Sequence, residues 1–184
     1  MNGLASRSEL RMSFLRYALF TVPAVLLLGT LSGRLANSGY GNAWFDALTK
    51  PDFMPPGWLF GVAWTILYIL LGLVLAMLLH AKGARGRGLA LTLFFVQLAL
   101  NYTWSPVFFA LHQVSAALII IIALLILNIA LAAVTWRIRK VAALLLMPYL
   151  AWLCLATALN WEIGRLNPGA ENLAPAGAST DIAL

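Results

Sequence analysis

The sequence predicts an all-α integral membrane protein, a bundle of five transmembrane helices. Hydrophobic residues make up 62% of the 184 residues and charged residues only 10%, whereas a soluble domain carries about 25% charged residues. The apolar residues come in blocks of roughly 20, the length that a helix needs to cross the hydrocarbon core. These blocks are continuously apolar and lack the alternation with polar residues that is typical of barrel strands.

Local signals mark the first two predicted spans. The span 14–34 follows a basic segment at 1–13. A basic segment followed by a short apolar stretch is also typical of a signal peptide, and cleavage there would leave four spans. The span 58–80 follows Pro-Pro-Gly at 55–57, which favours a helix start. A rigid prolyl segment would also suit a lid over a cavity, so the sequence leaves both roles open.

The last three spans are separated by short polar segments. The span 89–110 follows a turn rich in glycine and arginine, and Pro106 predicts a distortion near its end. The span 114–136 follows a three-residue turn, and the span 141–163 follows a basic cluster at 137–140.

The spans divide the chain into three parts. We predict a basic N-terminal tail at 1–13 and a five-helix transmembrane domain at 14–166. The C-terminal segment 167–184 contains several prolines and glycines, and we predict that it is disordered.

The distribution of basic residues predicts the orientation in the membrane. Nine lysines and arginines fall on the side of the N-terminus and three, Arg34, Lys50 and Arg165, on the other. Cytoplasmic loops are enriched in basic residues, so we expect a cytoplasmic N-terminus, with the 35–57 loop and the C-terminus on the opposite side. Membrane topology thus accounts for the net charge of +6, and we expect no nucleic-acid partner.

Three motifs resemble the tryptophan-rich sensory protein family, also called the translocator protein or peripheral benzodiazepine receptor family. The motifs are WFDALTKPDFMPPGWLFGVAW at 44–64, QLALNYTWSPVFF at 97–109 and MPYLAWLCLATALNWEIGRLN at 147–167. Their order matches the family, and the resemblance covers 17–167. It implies a five-helix bundle, often dimeric, that binds porphyrins and related apolar ligands in a pocket near the long first loop.

Candidate ligand-binding residues come from the resemblance and from residue spacing. The resemblance implies the loop pair Trp44 and Phe45 and five residues on the helices. Spacing adds Tyr68, one turn after Trp64, and Ser105, one turn after Asn101. The full set is Trp44, Phe45, Trp64, Tyr68, Asn101, Trp104, Ser105, Trp152 and Ala156.

The same residues have structural alternatives. Deep aromatic residues pack helices as well as ligands. The polar stripe formed by Gln97, Asn101 and Ser105 can join helices through hydrogen bonds or line a pocket. Asn160 is open between these two roles, whereas Asn128 stands alone in its span and is expected to be structural.

The resemblance implies a membrane receptor or carrier that binds a tetrapyrrole similar to protoporphyrin, or another apolar small molecule. The expected partners are that ligand, membrane lipid and a second copy of the chain in a homodimer. Porphyrin or haem is a candidate ligand, and no cofactor, catalytic residue or metal site is expected. His80 and His112 lie at opposite span ends, away from the predicted aromatic face. The alternatives are a catalyst that degrades porphyrins in light and a translocator of small apolar molecules.

Single cysteine substitutions test the predicted orientation. A cysteine in the 42–49 loop should react with an impermeant thiol reagent added outside the cell, while one at 83–86 should not, because the basic residues keep that turn in the cytoplasm. Labelling of both positions, or the reverse pattern, would contradict the prediction.

Overall fold

Helices form nearly all of the regular structure in the computed structural model, which describes residues 7–173. The elements in chain order are α1 (Arg7–Leu35), α2 (Ala43–Ala47), α3 (Gly57–His80), α4 (Arg87–Ser105), a π-helical turn (Pro106–Ala110), α5 (Val114–Ile138), α6 (Lys140–Leu145), α7 (Met147–Leu166) and a 3-10 turn (Ala170–Asn172).

Five helical segments in the described part of the chain are long and apolar enough to cross a membrane. They are Arg11–Leu35, Gly57–His80, Arg87–Ala110, Val114–Ile138 and Lys140–Leu166. The predicted fold class is therefore confirmed. The predicted boundaries differ most at the first span, because α1 already begins at Arg7. Part of the predicted N-terminal tail thus continues the helix, and residues 1–6 lie outside the described residues.

The distortion predicted at Pro106 takes the form of a π-helical turn. Proline has no backbone N–H and its ring crowds the preceding turn, so the regular hydrogen-bond ladder cannot continue through it. The chain widens instead, and the Leu111 amide donates to the Pro106 carbonyl at 2.9 Å. This wider turn buries Phe108 and Phe109 at the end of the third span.

Helices α1 and α3 approach each other closely at two glycines. A Cβ atom added at Gly72 would lie 2.5 Å from the Cα atom of Val22, and one added at Gly29 would lie 2.3 Å from the Tyr68 ring. The Thr21 hydroxyl donates to the Gly72 carbonyl at 2.8 Å. Small residues thus allow close backbone packing, which is a main source of helix association in lipid.

The first loop, residues 36–56, packs onto the end of the bundle through a second apolar cluster. Trp44, Phe45 and Leu48 lie against Phe108 and other residues at the ends of the third, fourth and fifth spans. Asn42 caps α2, since its side-chain oxygen accepts from the Phe45 amide at 3.1 Å. The loop is therefore an ordered part of the fold.

The prediction of disorder from residue 167 onward is wrong for residues 167–173. These residues form the 3-10 turn, and Ala170 is buried. The Trp44 indole N–H donates to the Ala170 carbonyl at 2.8 Å, so a contact between distant parts of the chain orders a segment whose own composition favours disorder. The rest of that predicted tail, 174–184, lies outside the described residues.

Replacing Gly72 with alanine should lower stability by about 1–3 kcal/mol, a typical cost of overpacking, because the Val22 backbone occupies the space that the methyl group needs. Thermal unfolding in detergent measures the change. Gly61→Ala is the matched control on the same helix, since no atom lies within 4 Å of its added Cβ. Equal stability of the two variants would contradict the close-packing argument.

Candidate functional site

A cavity of about 760 Å³ lies within the bundle at the end that carries the first loop. Residues of α1, α3, α4, α5 and α7 line it, together with part of the first loop. Its volume falls within the range of roughly 300–1,000 Å³ that is typical of small-molecule sites.

The floor of the cavity is a chain of hydrogen bonds that joins three helices. The Tyr68 hydroxyl of α3 donates to Asn101 Oδ1 of α4 at 3.0 Å. Asn101 Nδ2 donates to the Tyr149 hydroxyl of α7 at 2.8 Å. Each polar atom of the Asn101 side chain thus has a tyrosine partner, and Asn101 holds the floor of the cavity together.

The walls of the cavity carry three partly buried tryptophans, one from each of the same three helices. The Trp64 and Trp152 rings meet edge to face with centroids 6.2 Å apart, and Trp64 also lies 5.1 Å from the Tyr68 ring. Trp104 stacks on Phe108 at 5.1 Å. Ala156, one turn after Trp152, leaves open space beside these rings. The walls thus offer broad aromatic faces around a central space.

Asn160 fixes the position of one of these tryptophans. Its Oδ1 accepts from the Trp104 indole N–H at 3.3 Å, and its Nδ2 donates to the Val114 carbonyl at 3.0 Å. The side chain is buried and does not line the cavity. Of the two roles left open by the sequence, the structure therefore supports the joining of helices.

The three residues of the predicted polar stripe on α4 have two different surroundings. Asn101 and Ser105 line the cavity, whereas Gln97 is fully buried one turn below the floor. Gln97 accepts a hydrogen bond from Asn128 Nδ2 at 3.2 Å. The expected structural role of Asn128 is confirmed by this contact.

The structure brings eight of the nine candidate residues together at the cavity. They are Phe45, Trp64, Tyr68, Asn101, Trp104, Ser105, Trp152 and Ala156. Trp44 is the exception, since it does not line the cavity and its ring stacks on His112 with centroids 4.4 Å apart. Its indole N–H donates to the buried carbonyl of Ala170. The prediction that Trp44 belongs to the cavity residues is therefore corrected.

One wall of the cavity was missed in the sequence. Helix α1 contributes Gly29, Thr30, Gly33 and Arg34, and the first loop continues this wall from Asn37 to Tyr40. The spacing of Gly29 and Gly33 predicts that α1 lies close to another helix. It does not predict that this close contact ends above Gly29 and leaves part of the cavity beside Gly33.

Two hydrogen bonds between the Asn167 side chain and the Thr49 backbone fasten the first loop to the segment that follows α7. Asn167 Oδ1 accepts from the Thr49 amide, and Asn167 Nδ2 donates to the Thr49 carbonyl, both at 2.8 Å. The bond from Trp44 to Ala170 lies beside them. The prolines of the first loop do not take part in this fastening. Pro56 is the N-cap residue of α3 and has an extended conformation, and neither Pro55 nor Pro56 lines the cavity. The loop therefore covers the cavity through Phe45 and residues 37–40.

The histidines lie away from the cavity. His80 packs against Phe14 and Tyr17 at the opposite end of the bundle, and His112 stacks on Trp44. Among the described residues, no cluster of histidine, cysteine or acidic side chains could hold a metal ion. The cavity wall offers ring faces, hydroxyls, amides and the guanidinium group of Arg34.

The chain matches a known protein family over most of its length. Residues 21–166 match the model of the TspO/MBR family. The chain is 41% identical over 147 residues to the tryptophan-rich protein TspO of Archaeoglobus fulgidus, covering 80% of this chain and 94% of that protein. It is 37% identical over 147 residues to the human translocator protein, covering 77% and 85%. It is 36% identical over 137 residues to protein CrtK of Rhodobacter capsulatus, covering 70% and 81%.

Replacing Trp44 with phenylalanine should lower stability by about 1–3 kcal/mol, because the buried Ala170 carbonyl loses its donor. Amide hydrogen exchange should also quicken over 42–49 and 167–173, since both segments share that bond. Trp58→Phe is the control, because the Trp58 side chain is 69% exposed. Unchanged exchange in both segments would show that the bond does not fasten the loop.

Proposed function

Because the chain belongs to the TspO/MBR family, we propose that it binds a tetrapyrrole similar to protoporphyrin, noncovalently, in the cavity of the bundle. The observation that carries the proposal is the arrangement of Trp64, Trp104 and Trp152 around one open space. A flat aromatic ligand gains most from offset-stacked and edge-to-face contacts, and these rings offer both.

The polar content of the cavity supports a bound ligand that is mainly apolar. Small-molecule sites combine apolar and aromatic walls with a few polar groups that fix orientation. The Tyr68 and Ser105 hydroxyls meet this description, because both line the cavity among aromatic and aliphatic side chains. Asn101 contributes to ligand binding by holding the Tyr68 hydroxyl in place through their hydrogen bond.

The fastened first loop supports a receptor or carrier that retains its ligand. Phe45 covers the cavity, and the Lys50 ammonium holds the same turn by donating to the Phe45 carbonyl at 2.7 Å and the Leu48 carbonyl at 2.9 Å. Ordering a cover before binding reduces the entropy cost of association. We also propose that this loop lies outside the cytoplasm, as the distribution of basic residues favours.

Porphyrin titration followed by tryptophan quenching and porphyrin absorbance tests the proposal. Binding in darkness without a change of pigment on illumination supports a receptor or carrier. Loss of the pigment spectrum under light would favour the degrading catalyst, and net flux of porphyrin across vesicles would favour the translocator. Absence of saturable binding would contradict all three activities at this cavity.

Trp152→Ala should weaken porphyrin binding by about 1–3 kcal/mol, by analogy with the stacking of bases on aromatic side chains. The matched control on the same helix is Trp161→Ala, because Trp161 is 61% exposed on the bundle surface and does not line the cavity. Ala156→Leu provides a second variant that fills the open space without removing a ring. If Trp161→Ala weakens binding as much as Trp152→Ala does, the ligand does not occupy this cavity.

A further inference from the structure

The cavity wall carries a single charged residue. Among its described lining residues Arg34 is a cation, and none is acidic. Arg34 lies in the last turn of α1 and is exposed, whereas Tyr68 and Asn101 at the floor are buried. The cavity therefore has an apolar aromatic body and a positively charged mouth.

Arg34 is one of the three cations on the loop side of the bundle. The other two make hydrogen bonds or an ion pair with groups of the protein itself. Lys50 donates to three backbone carbonyls of the first loop. Arg165 pairs with Glu162 one turn earlier on α7. Among the residues that the structure describes, the Arg34 side chain makes no hydrogen bond or ion pair. An arginine on the side that carries fewer basic residues thus lines the cavity with its donors available.

The guanidinium group is suited to one class of ligand group. Its planar set of donors matches a carboxylate in a bidentate arrangement and remains charged at any physiological pH. Thr30, Asn37 and Ser38 line the same part of the wall and add neutral polar groups beside it. The mouth is complementary to an anion, and the aromatic walls are complementary to a flat apolar body.

We propose that Arg34 determines specificity at this site by pairing with a carboxylate at one edge of the ligand. The inference rests on the proposed function and narrows it, because it assigns the cavity to amphipathic ring compounds with an acidic edge. The apolar ring lies among Trp64, Trp104 and Trp152, and the acidic edge faces the mouth. Neutral ring compounds of the same size bind more weakly.

The test compares protoporphyrin IX, which carries two carboxylates, with its dimethyl ester. Quenching titrations are made on the full-length protein in detergent micelles without net charge, for the wild type, Arg34→Gln and Arg34→Lys. Arg34→Gln should weaken binding of the diacid about three- to tenfold, as expected for a partly exposed charge-assisted pair, and leave the ester unchanged. Arg34→Lys should restore part of the difference, because it keeps the charge but loses the bidentate geometry.

Arg165→Gln is the matched control, since it removes a cation from the same side of the bundle at a residue outside the cavity wall. It should leave both ligands unaffected. A measurement on the wild type alone gives an independent check, because salt should weaken binding of the diacid but not of the ester.

Three results would overturn the inference. Equal effects of Arg34→Gln on the diacid and the ester would show that the residue acts through the shape of the mouth. No effect on either, with no salt dependence in the wild type, would show that the carboxylates do not meet Arg34, while the proposed function stands. Failure of both ligands to bind the wild type would overturn the proposed function itself, and the inference with it.

Discussion

The hydrogen-bonded floor formed by Tyr68, Asn101 and Tyr149 is the contact on which the rest of the site depends. In a membrane bundle a polar side chain cannot turn to water, so it must find its partners inside the protein. These three side chains hydrogen-bond to one another and tie three helices at one level. Below this level the helices pack around apolar side chains such as Leu71 and Phe94, and above it they enclose a space.

The position of small residues decides where that space opens. Gly29 admits the Tyr68 ring against α1, which brings the two helices together at the level of the floor. Gly33, one turn above Gly29, leaves room on α1, and Gly61 and Ala156, about two turns above Tyr68 and Tyr149, do the same on α3 and α7. Trp64 stands one turn from Gly61 on α3, and Trp152 one turn from Ala156 on α7. On α3 and α7 a small residue thus stands beside a tryptophan, and the cavity lies in the space that the small residues leave.

Much of the architecture could be predicted from the sequence because it depends on local signals. Continuous apolar blocks set the spans, and helical spacing places Tyr68 beside Trp64 and Ser105 above Asn101. The position of Trp44 could not be predicted this way, because its direction depends on the Ala170 carbonyl, far away in the chain. The wall made by α1 was missed for a similar reason. The residues near Arg34 line the cavity because of the way α1 packs against the other helices, and the sequence of α1 alone does not predict that packing. Composition likewise predicted 167–173 poorly, since the order of this segment comes from contacts that Asn167 and Ala170 make with the first loop.

The fastening of the first loop by residues that follow the last span also bears on the order in which the protein is made. The loop emerges after the first span, but Asn167 and Ala170, which hold it, are synthesised after all five. The roof of the cavity therefore cannot assemble as the chain enters the membrane one span at a time. It closes only when the final segment has crossed to the side of the loop, which makes a completed site a sign of completed insertion.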